Sequence, residues 1–416
     1  MQNTTPAPAV RPELEYRYPL YTPEFAQNPH AVYTDMRREF GPLAPVELAP
    51  GVDATLVIGY NLAVEILGDP DRFPADPRRW QHTLPDDCPI KPMVEWRPNA
   101  LRSTGLAHAL YRGATTSALD AVDQYGLTKM VIAATERQIS TFCRAGTADL
   151  ISDYALPVVF LTLNRLLGCP DDIGEQVRIA MAAMFESTDT ARVNEMLGTA
   201  LGELIALKRR HPGTDITSTL IAHEPALTTE EIIHQLVTLY GAGIEPTTNL
   251  IANTALLILT DHRFACRADG VAPPVADAMQ QILVTDPPMA NYCLTFPRQP
   301  VPKAGIWLPA DKPVVISLAA CNNDPEVNNG DFFHAAWALP FSTGPHACPQ
   351  AARDAARQIG DIATRYLFDA LPELSLAVPA TELIWRPGPF HRALTALPVT
   401  FPPSEPLPAT YPEEHA

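Results

Sequence analysis

The stretch that most limits the fold is TTEEIIHQLVTLYGAGIEPTTNLIANTALLILT, residues 228–260. Its apolar spacing predicts one helix of about 33 residues. It opens on threonine and glutamate, which cap and charge a helix N-terminus. Beyond that turn it is apolar on most faces, so it is expected to run buried through the core. Helical spacing recurs in PHAVYTDMRREF, YNLAVEILGD, GLAHALYRGATTSAL, YGLTKMVIAATERQISTFCRA, ADLISDYALPVVFLTLNRLLG and VNEMLGTALGELIALKRRH. Strand-like pieces are fewer: PLAPVEL and ATLVIG early, then PVVISLAA, LSLAV, LIWRP and ALPVTF late. The expected class is mainly α with a minor β region.

The 44 prolines lie at element borders, and no repeat or low-complexity linker interrupts the chain. Residues 1–416 therefore read as one domain, with 1–14 and 402–416 expected to be loosely held. A formal net charge of −17 argues against general nucleic-acid binding, which needs a basic surface. There is no apolar run of membrane-span length, and the N-terminus lacks an apolar signal core. The expectation is a soluble, cytoplasmic protein. The seven cysteines form no C-x-x-C pair and are odd in number, which argues against a disulfide framework or a zinc module.

One thiol stands apart. In FSTGPHACPQ, 341–350, Cys348 is followed by Pro349 and a long helical pattern. Pro349 suits a first helical position, which places Cys348 at the expected N-cap. The helix N-terminus favours a thiolate there, and Gly344 permits a tight turn before it. A sulfur so held suits a soft or redox metal, a heme iron among them.

These residues resemble the heme-binding signature of the cytochrome P450 family, Phe-x-x-Gly-x-His/Arg-x-Cys-x-Gly/Ala. Phe341, Gly344, His346 and Cys348 match; Ser342 and Gln350 depart from it. The resemblance implies the P450 fold, heme b (iron-protoporphyrin IX) as cofactor, Cys348 as the axial metal ligand, Phe341 beside it and His346 at a propionate. His108 and Arg112 stand one helical turn apart and so share a face; in the family this pair binds a propionate. ACNNDPEV and the LIWRPGPFHRALTALPVTF tail also resemble family segments, the tail those of actinobacterial members.

GAGIEPTTN, 241–249, resembles the oxygen-activating segment, with Ala242, Gly243 and Glu245 matching. Small residues let a flat cofactor approach the helix. Pro246 stands where threonine is usual and removes the N–H that Ala242 would accept, which predicts a kink and a polar notch. Proton delivery then falls to Glu245, Thr247, Thr248, water or the substrate. The family's Glu-x-x-Arg motif is replaced by Gln281 and Val284. Its arginine in the following strand is replaced by Thr295, with Arg298 three residues on.

The resemblance implies a monooxygenase acting on a small organic substrate, natural products among the candidates, with a ferredoxin and ferredoxin reductase as electron donors. Pro246 motivates an alternative, other heme chemistry such as peroxide use, coupling or cyclisation. Loss of Glu-x-x-Arg motivates another, an auxiliary protein for a partner enzyme. The loop 78–105 is expected to cover the distal pocket. Arg353 and Arg357, four apart, offer a basic landing face for the donor if they are exposed.

Overall fold

A computed structural model describes residues 17–411, except 86, 186–189, 266–274 and 333. The helices used below are α1 (Pro29–Phe40), α2 (Tyr60–Leu67), α3 (Gly105–Asp120), α4 (Gln124–Phe142), α5 (Leu156–Leu166), α6 (Asp171–Phe185), α7 (Thr190–Arg210), α8 (Thr229–Thr260), α9 (Val275–Thr285) and α10 (Gln350–Ala370). The strands are β1 (Tyr18–Pro19), β2 (Leu43–Ala49), β3 (Val52–Val57), β4 (Cys293–Thr295) and β5 (Val314–Ile316).

The 32 residues of α8 form the expected long helix. Thr228 and Glu231 close its start reciprocally: the threonine hydroxyl accepts from the Glu231 N–H, and the carboxylate accepts from the Thr228 N–H at 2.8 Å. At 1.5 Å per residue α8 runs about 48 Å, the width of a domain. Pro246 sits inside it without ending it. The helices α3 to α8 and α10 share one apolar core, in which Val131, Val158, Leu201, Leu236 and Leu367 are fully buried. Each such side chain stabilises the fold by about 1.5–3 kcal/mol.

The sheet order is β1-β2-β3-β5-β4, with β1 parallel to β2, β3 parallel to β5, and the other two pairs antiparallel. Its two faces carry separate apolar clusters. A small cluster of Leu250, Met279, Ile282 and Leu283 joins α8 to α9, with Phe341 against it.

The segment expected as one helix from 148 opens differently. Thr147–Asp149 is a strand, Leu150–Ala155 is a wide π-type turn, and α5 starts only at Leu156. Asp149 caps Ile151 and Pro157 sits in the first turn of α5, so the local donors and ring geometry restart the helix.

The described part of the tail bonds to α4 and to the residue that ends it. Ser404 N–H donates to the Cys143 carbonyl at 2.9 Å, Leu407 N–H to Ser140 Oγ at 3.0 Å, and Thr410 N–H to Glu136 at 2.9 Å. Backbone donors that α4 satisfies hold residues 404–410 in place. Residues 1–14 and 412–416 lie outside the described residues.

Candidate active site

The loop before α10 is fixed by its own backbone. Cys348 N–H donates to the Phe341 carbonyl at 3.0 Å, and Ala347 N–H to the Gly344 carbonyl at 3.1 Å. Gly344 has φ +74°, and a Cβ there would sit 2.1 Å from the Leu67 carbonyl oxygen of α2. Only glycine fits that approach. Ser342 also has positive φ, at 61°, where the family's glycine would be unstrained.

The expected capping position is corrected. Pro349 is the N-cap, with ψ 144°, and α10 begins at Gln350, so Cys348 lies one residue further out. Burial pushes the thiol up to about 11, and Arg353 and Arg112 draw it back towards ionisation. Those two cations favour the thiolate against that burial. Arg353 Nε donates to the Cys348 carbonyl at 2.7 Å.

That bond also corrects the landing face. The guanidinium groups of Arg353 and Arg357 lie 5.9 and 5.3 Å from the centre of the Phe341 ring. Both side chains are half-buried and turned onto that ring, so they do not form an open basic patch.

His108 and Arg112 lie on α3 as the spacing requires. The rings of His108 and His346 are 4.2 Å apart between centroids, tilted by 42°. Both line a cleft of about 400 Å³, with Thr104 and Pro345 beside them. His108 Nε2 and His346 Nδ1 are buried without a hydrogen-bond partner. Burial, then Arg112, lowers the His108 pKa. Burial, then His108, brings His346 to about 4.

On α8, Ala242 is exposed in the middle of a largely buried helix, which marks an open side. At Gly243 a Cβ would meet Leu163 Cδ1 at 2.8 Å, so glycine lets α8 close on α5. Thr247 and Thr248 are both buried, and Thr248 Oγ1 has no partner. Glu245 accepts from Asn249 Nδ2 at 3.2 Å and from the Arg386 guanidinium. Arg386 Nε in turn donates to His391 Nε2 at 3.1 Å. Burial, then Arg386, holds His391 at about 3, so its ring is neutral and can accept. Arg386 and His391 were not singled out from sequence; the tail segment that carries them was.

The lost Glu-x-x-Arg motif has a structural substitute. Val284 is fully buried, and Gln281 accepts from Arg263 at 3.1 Å. Asn322 Oδ1 accepts from the Leu339 N–H at 2.7 Å, and Asn323 Nδ2 donates to the Thr285 carbonyl at 2.7 Å. Amides from ACNNDPEV therefore tie α9 to the segment leading to the cysteine loop. Thr295 Oγ1 donates to the Val314 carbonyl at 3.3 Å, and Arg298 pairs with Asp76 at 2.9 Å. In the 78–105 loop, Trp80 is buried against Phe296, with centroids 5.2 Å apart, and the Arg78 guanidinium lies 5.0 Å from the Trp96 ring centre.

The donor set suits a flat iron cofactor with anionic tails. It combines one sulfur on a fixed loop with unpartnered imidazole nitrogens and the half-buried Arg112 at one edge. The chain is 32% identical over 399 residues to the cytochrome P450 monooxygenase PikC of Streptomyces venezuelae, covering 90% of this chain and 92% of that one. The chain belongs to the cytochrome P450 family. This P450 is also 28% identical to the vitamin D(3) 25-hydroxylase of Pseudonocardia autotrophica, covering 93% and 97% of the two chains. Its fold matches CYP154C4 from Streptomyces sp. W2061 with a TM-score of 0.82 at 26% identity, over 93% and 98% of the chains. No family model matches the sequence. The P450 is of bacterial, actinobacterial type, an oxidoreductase of the monooxygenase class, and its cofactor is heme b. Among the described residues no helix is long and apolar enough to cross a membrane.

Proposed function

We propose that this P450 oxidises a small, carbon-rich organic substrate of natural-product type, using dioxygen and electrons from a ferredoxin and its reductase. The observation that carries this reading is the rigid Cys348 loop set beside the His108–His346 pair. Two relatives are named for hydroxylating vitamin D(3) and a naphthoate, which supports the substrate class.

Heme b, bound through Cys348 Sγ, supplies the oxidising iron centre. In this reading His108, Arg112 and His346 bind its carboxylate tails. Phe341 and Gly344 hold the sulfur in place, and Ala242 leaves room over α8. Glu245, positioned by Arg386, keeps a carboxylate at half depth where it can relay a proton. The hydroxyls of Thr247 and Thr248 can hold water beside it, Thr248 Oγ1 being unpartnered.

The test is the absorption spectrum of the reduced, carbon-monoxide-bound protein, taken for seven single Cys→Ser variants. Only Cys348→Ser should lose the thiolate-type band. A thiolate band that survives in Cys348→Ser overturns the assignment.

Pro246 supports a second reading, P450 chemistry without a full proton relay, such as peroxide use, coupling or cyclisation. Product formed with hydrogen peroxide alone, and none with dioxygen and electrons, would favour it. The auxiliary-protein reading has less support, because the chain keeps the sulfur ligand.

A further inference from the structure

The loop that leads into the helix of His108 carries an arginine outside the segments matched to the family pattern. Arg102, in the loop before α3, is 2% exposed. Its Nη2 donates to the Met93 carbonyl at 2.8 Å, and its backbone N–H donates to Asn99 Oδ1 at 3.0 Å. Its guanidinium lies 5.2 Å from the centre of the Tyr292 ring. Nε has no partner, nor does Oγ of the adjacent buried Ser103. Among the described residues no carboxylate pairs with Arg102. A buried cation with a vacant donor and no counter-charge is costly, and chains retain one where a ligand supplies the anion.

The position of that charge is informative. The family places an arginine at the site of Thr295, whose hydroxyl here is taken by the Val314 carbonyl. Alternation along β4 puts Cys293 and Thr295 on one face. The Arg102 guanidinium lies against the ring of Tyr292, the residue that leads into β4, so its charge stands at the start of that strand. Arg298, which lines the cleft with His108 and His346, is already balanced by Asp76 at 2.9 Å and Asp311 at 3.7 Å.

We propose that Arg102 anchors a heme propionate, supplying from the loop before α3 the cation that Thr295 cannot supply from β4. Nε and Ser103 Oγ then donate to the carboxylate that also faces His346. The proposal rests on the heme-thiolate reading.

The test compares wild type, Arg102→Met and Arg102→Lys, each loaded with heme b or with its dimethyl ester, which has no carboxylate charge. Loss of the bound group to excess apomyoglobin is timed. Arg102→Met should lose heme b faster by about 10- to 100-fold, the range for one charge-assisted hydrogen bond. Arg102→Lys should fall between. With the ester, all three should release at similar rates. Equal acceleration for both groups in Arg102→Met would mean that the residue only braces the loop, and overturns the proposal. So does an unchanged rate with heme b. If wild type shows a thiolate spectrum while Arg102→Met retains heme b normally, only this proposal falls. If wild type takes up no heme, the functional reading falls with it.

Discussion

The guanidinium of Arg386 is bonded to the carboxylate of Glu245, a residue 141 positions earlier in the chain. The acid in the middle of α8 is therefore neither solvated nor isolated. It is held from the tail, by an arginine that also leans on neutral His391. Any proton passing through Glu245 does so next to a fixed positive charge.

A double-mutant cycle checks that pairing. The two side chains are 39% and 15% exposed, so part of the pair is screened. Arg386→Met or Glu245→Gln alone should each cost about 1–3 kcal/mol in urea unfolding. The double variant should cost less than the sum by about 1 kcal/mol or more. Strict additivity would show the pair is uncoupled.

Pro246→Ala restores the N–H that Ala242 lacks. A proline inside a helix costs about 3 kcal/mol. Its loss also frees the unfolded chain by about 0.4–1 kcal/mol. The variant should thus be more stable by about 2–3 kcal/mol, the balance of those two terms. Pro246→Thr adds a hydroxyl as well, and should lower hydrogen peroxide released per electron relative to Pro246→Ala. Equal peroxide release in the two would deny the hydroxyl a role.

Asp286 ties three segments together. It bonds His30 at 3.2 Å and Arg392 Nε at 2.8 Å. Burial pushes its carboxyl up, but His30 and Arg392 outweigh that and hold it below the usual range. A carboxyl lowered on folding stabilises above its unfolded value, about 3.9, and that stabilisation fades as pH falls through the folded value. Asp286→Asn should cost about 3 kcal/mol at neutral pH. The gap to wild type should close as the solution is acidified below the folded value. A gap constant with pH would contradict the linkage.

Gly344→Ala should be among the most damaging single changes in the cysteine loop. It demands positive φ of alanine and drives a methyl into the Leu67 carbonyl. The expected result is a loss of more than about 2 kcal/mol in stability and sharply lower heme content at equal expression. Normal heme content would show that the loop relaxes freely.

What was legible in the sequence followed from local rules. The Thr228 and Glu231 cap, the apolar run of α8, the i,i+4 pair of His108 and Arg112, and the turn glycine before Cys348 each act over a few residues. Long-range partners were not legible. Nothing in the local pattern says that Arg386 reaches Glu245, that Phe341 draws in Arg353 and Arg357, or that Asn323 takes over a tie lost with Glu-x-x-Arg. Arg102 was hidden for the same reason: its isolation is a property of burial, and burial is decided by the whole fold. The shift of Cys348 off the helix cap turned on the ψ of a single proline.

The seam at Asp286 also sets a clock. Arg392 donates to the Ala26 carbonyl, 366 residues earlier, and Tyr33 donates to Asn291, 258 residues later. A ribosome adding 5–20 residues per second separates the synthesis of Ala26 and Arg392 by about 20–70 s. During that interval the first helix can form and pack on β2, yet its partners Asn291 and Arg392 do not exist. The join between the N-terminal segment and the tail therefore stays open while the core behind it assembles. Fastening the seam belongs to the end of biosynthesis, after the rest of the chain has been made.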